Sequence, residues 1–263
     1  MTLRVPYISG ESIERDADAL LAEFAHARGV SIQAPVPIED IVEKHLKLRI
    51  EFDDLHRLLG VPRSGTDPDI FGAIWLEKGE IVIDESLDPE VRPSIEGRFR
   101  YTLAHEGGGH WRLHRRLVEA ITGQDSLFGD ARQPTVVCRS SQAKQRAELQ
   151  ADLYASCLLM PRKLVMQAWC DKFGNNHPRI VRRKRRIVVP CDAEGEAATA
   201  IRAFYQTRDD DGLEYFAQPF AKQFLVSPVA MRIRLEKLGL LHREVPRQRR
   251  LHVEWQNIFC RKA

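Results

Sequence analysis

Long apolar runs are missing from this 263-residue chain. No stretch approaches the ~18 to 20 residues that a helix needs to span a bilayer, so a helical membrane protein is excluded. Met1-Thr2-Leu3-Arg4-Val5-Pro6 lacks the apolar core of an export signal, which sets the expectation of a cytoplasmic protein. Cysteine is scarce: Cys138, Cys157, Cys170, Cys191 and Cys260 are odd in number and widely scattered. That spacing excludes a Cys-x-x-Cys zinc site and argues against a disulfide framework. Cys157 is expected to pack as a small hydrophobe. Charge is nearly balanced, at +3 overall. With 43% apolar and 29% charged residues, the composition is that of an ordinary globular chain, long enough for one sizeable domain and a smaller one.

What is present is concentrated in His105-Glu106-Gly107-Gly108-Gly109-His110-Trp111-Arg112-Leu113-His114, where three histidines and a glutamate fall in ten residues of helical pattern. A His-Glu-x-x-His helix binds zinc because residues four apart share a face, and the glutamate between the histidines serves as general base toward water. Here the first two histidines are five apart. At about 100° per residue, a five-residue step leaves side chains roughly 140° apart on a regular helix, against roughly 40° for four residues. A π-bulge absorbs one inserted residue, and three glycines give the backbone freedom to form one. His105 and His110 would then converge. His110 and His114 form the competing pair, four apart without a bulge, with no glutamate between them.

Catalytic zinc takes three protein ligands and leaves a position open. Residues 145–161 read as a second helix, with Ala147, Ala151, Ala155 and Leu158 at helical spacing and Pro161 at its end. Glu148 and Asp152 lie one turn apart on it. Taken alone, such a pair is most often two solvated acids. Beside a metal-type helix, one carboxylate can bind the ion while the other orients a ligand histidine through its free ring N–H.

These residues resemble the ImmA/IrrE (DUF955) metallopeptidases, bacterial and phage-borne zinc proteases that cleave helix-turn-helix repressors. The resemblance rests on Thr102-Leu103-Ala104-His105-Glu106, a glycine-containing spacer, His110, Trp111, Leu113 and His114, then Glu148, Ala151, Asp152, Tyr154, Ala155 and Leu158-Leu159-Met160-Pro161. It is clearest from about residue 11 to 161. The likeness implies an α+β fold with a compact zincin-like core and zinc held by His105, His110 and Glu148. It also implies Glu106 as base and Asp152 behind a ligand histidine. The implied substrate is a transcriptional repressor. The departure is the third glycine, since the family has two residues between the glutamate and the second histidine.

Other segments supply the frame. Residues 12–28 read as a helix with Ile13, Ala17, Leu20, Leu21 and Phe24 on one face and Gly29 as its stop. Residues 37–45 read as a second helix with proline at its start. His26, His45 and His56 are expected at the surface. Leu46 to Phe52 alternates as a strand, and residues 72–76 and 80–84 form a hairpin turning at Lys78-Gly79. Residues 72–76 are the candidate edge strand for an extended substrate. The metal helix is expected over 93–117, entered through Pro89 and Pro93, followed by a loop over 118–141. A further helix runs from Pro161 to Phe173 and stops at Gly174.

His177 to Arg186 holds six Lys or Arg in ten residues, a solvated segment, a partner-docking patch or a nucleic-acid contact. Beyond it, one helix ends near Phe224. After a turn, Ser227 as N-cap and Pro228 at the first position open another carrying Ala230, Ile233, Leu235 and Leu238, stopped at Gly239. The pattern resembles a winged helix-turn-helix that would offer Arg232, Arg234 and Lys237 to a phosphate backbone. A plain packing unit is the alternative. The expected organisation is a metallopeptidase domain over 1–175, a basic linker and helix over 176–212, and a helix-turn-helix-like region over 213–263, with possible DNA contact through 179–186 or 227–238. Two functions follow: a zinc endopeptidase acting on a repressor, or a catalytically impaired regulator that binds DNA or a repressor.

Overall fold

The computed structural model describes residues 5–62, 70–115, 136–139, 146–181 and 211–243. The segment 182–186 of the basic run, residues 118–135 and 140–141 of the expected loop, Cys191, Cys260 and the linker over 182–210 lie outside the described residues, as does the tail from 244 on. The fold is α+β, with many helices around a small four-stranded mixed sheet and a separate two-stranded one. No described helix is long and apolar enough to cross a membrane.

Helix α1 (Gly10–Arg28) starts where the Ser9 side chain accepts a hydrogen bond from the Ser12 amide and ends at Gly29, whose φ of 64° is left-handed. Both ends use residues suited to the task. The expected apolar face is buried, with Ile13, Ala17, Leu20, Leu21 and Phe24 all in the core. Helix α2 (Ile38–Asp40) widens into a π-turn at Ile41–His45 rather than continuing as α-helix.

Strand β1 (Arg49–Asp53) is followed by the short helix α3 (Leu55–Leu59). The hairpin joins β2 (Ile70–Trp75) to β3 (Glu80–Asp84) with Gly79 at φ 63°. Sheet order is β1-β3-β2-β4, where β4 is Val136–Arg139. β1 runs parallel to β3, and β2 is antiparallel to both neighbours. Residues 72–76 therefore do not form an edge strand: β2 is paired on both sides, and the partner on its far side comes from the segment expected to be loop. A four-residue strand such as β4 owes its pairing to residues more than sixty positions away, which local pattern does not reveal.

Both faces of the sheet are covered. Ile74, Ile81 and Ile83 join the main core under the helices, while Ile70, Ala73, Trp75 and Val82 pack with Leu55 on the other side. A register shift between Ile70 and Gly72 lets Ile70 share a face with Ala73 and Trp75. His56 is buried on that side, its Nδ1 3.2 Å from the Val61 carbonyl oxygen, so the surface expectation fails for it. His45 is half-buried beside Glu23 at 3.6 Å, and His26 is exposed as expected.

The metal-type helix is α4 (Glu96–Ala104), entered through a single turn at Pro93–Ile95. It continues as a π-helix over His105–His114. Helix α5 (Arg146–Leu159) packs along it, and α6 (Arg162–Phe173) follows, ending at Gly174 with φ 71°.

The C-terminal region joins the same core. Helix α7 (211–224) buries Leu213, Ala217, Phe220, Ala221 and Phe224. Trp169 of α6 stacks on Phe220 at 5.6 Å between ring centroids. Leu225 makes the turn at φ 49°. Helix α8 (Pro228–Lys237) opens with the Ser227 side chain accepting from the Ala230 amide, as expected. Its buried face is Met231 and Leu235, with Ile233 exposed. Strand β6 (Leu241–Arg243) pairs in parallel with β5 (Arg179–Val181), so the start of the basic run is a strand.

Candidate metal centre

The insertion between Glu106 and His110 is absorbed by ten residues of π-helix, not by one bulge. Hydrogen bonding from i to i+5 makes residues five apart successive on one face, as residues four apart are on an α-helix. His105 and His110 therefore face the same way, with Nε2 atoms 3.0 Å apart.

The three glycines are explained by neighbours as well as by backbone freedom. None has a positive φ. A Cβ on Gly107 would lie 2.8 Å from Val42 Cγ2, one on Gly108 2.6 Å from the Tyr154 ring, and one on Gly109 2.5 Å from the Ala151 Cα. The metal helix is thus wedged between the π-turn at Ile41–His45 and the sheet on one side and α5 on the other. Only residues without side chains admit α5 this close, and that closeness is what delivers the acids to the histidines.

Glu148 Oε2 lies 3.2 Å from His105 Nε2, and Glu148 Oε1 lies 3.4 Å from His110 Nε2. These three residues form a group whose ligand atoms all fall within 4.8 Å of one another, able to hold a metal ion. The donor spacing fits: ligands about 2.0 to 2.1 Å from a tetrahedral ion stand roughly 3.3 Å apart. Two imidazoles and one carboxylate are also a donor set of catalytic zinc sites. His110 and His114, the competing pair, do not form the group. His114 instead stands behind His110, with Nδ1 3.3 Å from His110 Nδ1 and Nε2 3.0 Å from Gln150 Oε1.

Asp152, one turn after Glu148, takes the position behind the other histidine. Its Oδ1 is 3.0 Å from His105 Nδ1, so the ring nitrogen that turns away from the group meets a carboxylate. Tyr101 donates its hydroxyl to the Asp152 backbone carbonyl at 2.8 Å, tying α4 to α5 beside the site.

Glu106 is fully buried, and neither carboxylate oxygen has a hydrogen-bond partner among the described residues. Gly72 of β2 makes room for it, since a Cβ there would sit 3.1 Å from Glu106 Oε1 and 2.7 Å from Thr102 Cγ2. Burial pushes its pKa up to about 8, opposed by the charge of His105 and aided by that of Glu148. An unpaired buried carboxylate costs several kcal/mol by rough estimate, and Glu106, with no partner among the described residues, is left open beside two imidazoles and a second acid.

The remaining titratable groups divide by contact. Burial alone would raise the Glu148 pKa, but its contacts with His105 and His110 carry it well below the usual carboxylate range. Burial holds His110 below its ordinary value. Burial, with the nearby His110, takes His114 down to about 4. A neutral imidazole and an ionised carboxylate are the forms that bind metal.

The structure brings together all five residues singled out from sequence: His105, Glu106, His110, Glu148 and Asp152. It adds His114 and Gln150, whose contacts sequence reasoning did not assign; the one signal for His114 was its four-residue spacing from His110. Arg232 and Arg234, read as groups offered to a phosphate backbone, are instead buried. Arg232 pairs with Glu236 and Glu214 at 3.0 and 3.5 Å. Arg234 donates to the Met160 carbonyl at 2.9 Å and pairs with Glu14 at 2.5 Å. Among known proteins, no family model matches the chain and no curated protein is significantly similar to it.

Proposed function

We propose that this chain is a zinc-dependent endopeptidase with a zincin-like core. The observation that carries the reading is one cluster: His105, His110 and Glu148 with ligand atoms inside 4.8 Å, beside a buried and unpartnered Glu106. A structural metal site has no use for the second acid.

In this reading His105, His110 and Glu148 hold the ion. When bound, zinc supplies a Lewis acid that polarises a peptide carbonyl and eases deprotonation of water. Glu106 takes the proton from the attacking water and returns it to the leaving amine, a role that a carboxylate poised near neutrality performs best. Asp152 holds His105 in the orientation that presents Nε2, accepting its Nδ1–H. Burial against β2 at Gly72 keeps the proton affinity of Glu106 high.

The substrate class comes from the motif resemblance to the ImmA/IrrE peptidases: a helix-turn-helix transcriptional repressor whose cleavage relieves repression. The C-terminal helices act as a packing unit on the core, since Arg232 and Arg234 are committed to internal pairs. The test is incubation of the zinc-loaded chain with such repressors and mass spectrometry of the products. New fragments from wild type, falling about 10²- to 10⁴-fold in rate for Glu106→Gln while zinc content stays the same, support the proposal. Equal cleavage by Glu106→Gln, or intact substrates throughout, contradicts it.

A further inference from the structure

We infer that His114 is a positioning residue for the metal centre: held in one tautomer by Gln150 and the Pro6 carbonyl, it accepts the Nδ1–H of His110 and so keeps the Nε2 lone pair of His110 aimed into the ligand group. The inference rests on the metal reading above and extends it to two residues that reading leaves unused.

The polarity of the chain of contacts is dictated from its far end. The Pro6 carbonyl can only accept, so the Gln150 atom 2.9 Å from it is the amide nitrogen, which donates. The opposite end of Gln150 is then the oxygen, 3.0 Å from His114 Nε2. An oxygen there requires His114 to carry its proton on Nε2. A neutral His114 is then bare at Nδ1 and faces His110 Nδ1 at 3.3 Å, where it can only accept. His110 must donate from Nδ1, and its Nε2, within 3.0 Å of His105 Nε2 and 3.4 Å of Glu148 Oε1, is left with the lone pair. His114 and His110 are fully buried and Gln150 nearly so, which shields the relay from solvent.

The two ligand histidines are therefore oriented by different means. His105 uses a carboxylate, whereas His110 uses a neutral imidazole backed by an amide. Both devices fix the ring and the tautomer, which is what outer-shell partners contribute to metal sites. The neutral relay achieves this without adding a fourth acid to Glu106, Glu148 and Asp152.

The test uses the full chain, with Zn²⁺ as probe in competition with a chelator, and long-range ¹⁵N–¹H NMR of the histidine rings in the metal-free protein. His114→Leu is expected to bind zinc 10- to 100-fold more weakly, the size of loss that follows removal of such partners. His114→Asn, which presents an amide oxygen near the place of Nδ1, restores affinity to within about threefold of wild type. Gln150→Leu gives a loss between the two. In wild type, His110 carries its proton on Nδ1 and His114 on Nε2. Unchanged zinc affinity in His114→Leu, an Asn variant no better than the Leu variant, or a His110 protonated on Nε2 alone would each overturn the inference. Should wild type bind no divalent ion, the metal reading fails, and the ring tautomers still decide the relay independently.

Discussion

Two helix pairs in this molecule bury polar groups for opposite ends. In α4 to α5, with the π-helical run between them, His105, His110, Glu148 and Glu106 converge, and Glu106 is left without a hydrogen-bond partner among the described residues. In α7 and α8, Arg234 is as deeply buried, yet Glu14, the Met160 carbonyl and Cys157 Sγ all meet its guanidinium. A buried polar group whose contacts are complete is holding the fold together. Among the described residues a few other buried side-chain nitrogens also lack a hydrogen-bond partner, those of Trp75, Arg100, Arg179 and Arg232, but Glu106 is the one carboxylate so left, and it lies beside the ligand group. The difference teaches that charge in sequence does not tell the two apart: the arginines were open to reading as a phosphate-binding face or as a packing unit, and only their partners in the fold decide between the two.

The comparison is broken most severely by removing Arg234. Arg234→Ala strands Glu14 beside Arg162 alone and opens the Met160 carbonyl, and should cost about 3 to 5 kcal/mol of unfolding free energy. Denaturant titration of zinc-loaded protein reads that loss, and zinc stoichiometry should be unaltered. Next in size is Gly109→Ala. Its Cβ would meet Ala151 backbone at 2.5 Å, so α5 must shift, at a cost of about 1 to 3 kcal/mol. Unlike the arginine variant it should also weaken zinc binding, because α5 carries Glu148. A variant that loses stability and keeps wild-type metal affinity would show that glycine spacing and ligand placement are separate.

The smallest effect is in pH. Burial raises the Glu14 pKa, but hydrogen bonds from Arg162 and Arg234 bring the net value below its ordinary 4.5. A carboxylate whose folded pKa is depressed stabilises the fold above its unfolded value and loses that contribution as pH falls through the folded one. The stability gap between wild type and Glu14→Gln should be full above about pH 4.5 and close below it, as followed by thermal unfolding.

Much of the site was legible because its spacings are local. A five-residue step between histidines, read against a four-residue helical repeat, asked for a π-bulge where the structure has a whole π-helix, and Glu148 and Asp152 at one turn proposed a ligand and its neighbour. Helix α1 was legible from its apolar period and Gly29, and the β2–β3 hairpin from Gly79. What stayed hidden depends on partners far along the chain. Gly108 and Gly109 read as flexible backbone, whereas Tyr154 and Ala151, more than forty positions on, are what forbid a side chain there. Arg234 read as an exposed base, and its partner Glu14 is 220 residues away. β4 is a strand only because β2 lies beside it, and the pairing removes β2 from the sheet edge.

The most direct measurement is metal content by mass spectrometry on purified, zinc-reconstituted protein, for wild type and four single variants. One zinc per chain in wild type, lost in His105→Ala, His110→Ala and Glu148→Ala but still present at saturating zinc in His114→Ala, is the predicted result. A wild type that takes up no zinc, or a site that survives loss of His105 and disappears with His114, would contradict the assignment of His105, His110 and Glu148 as the metal centre.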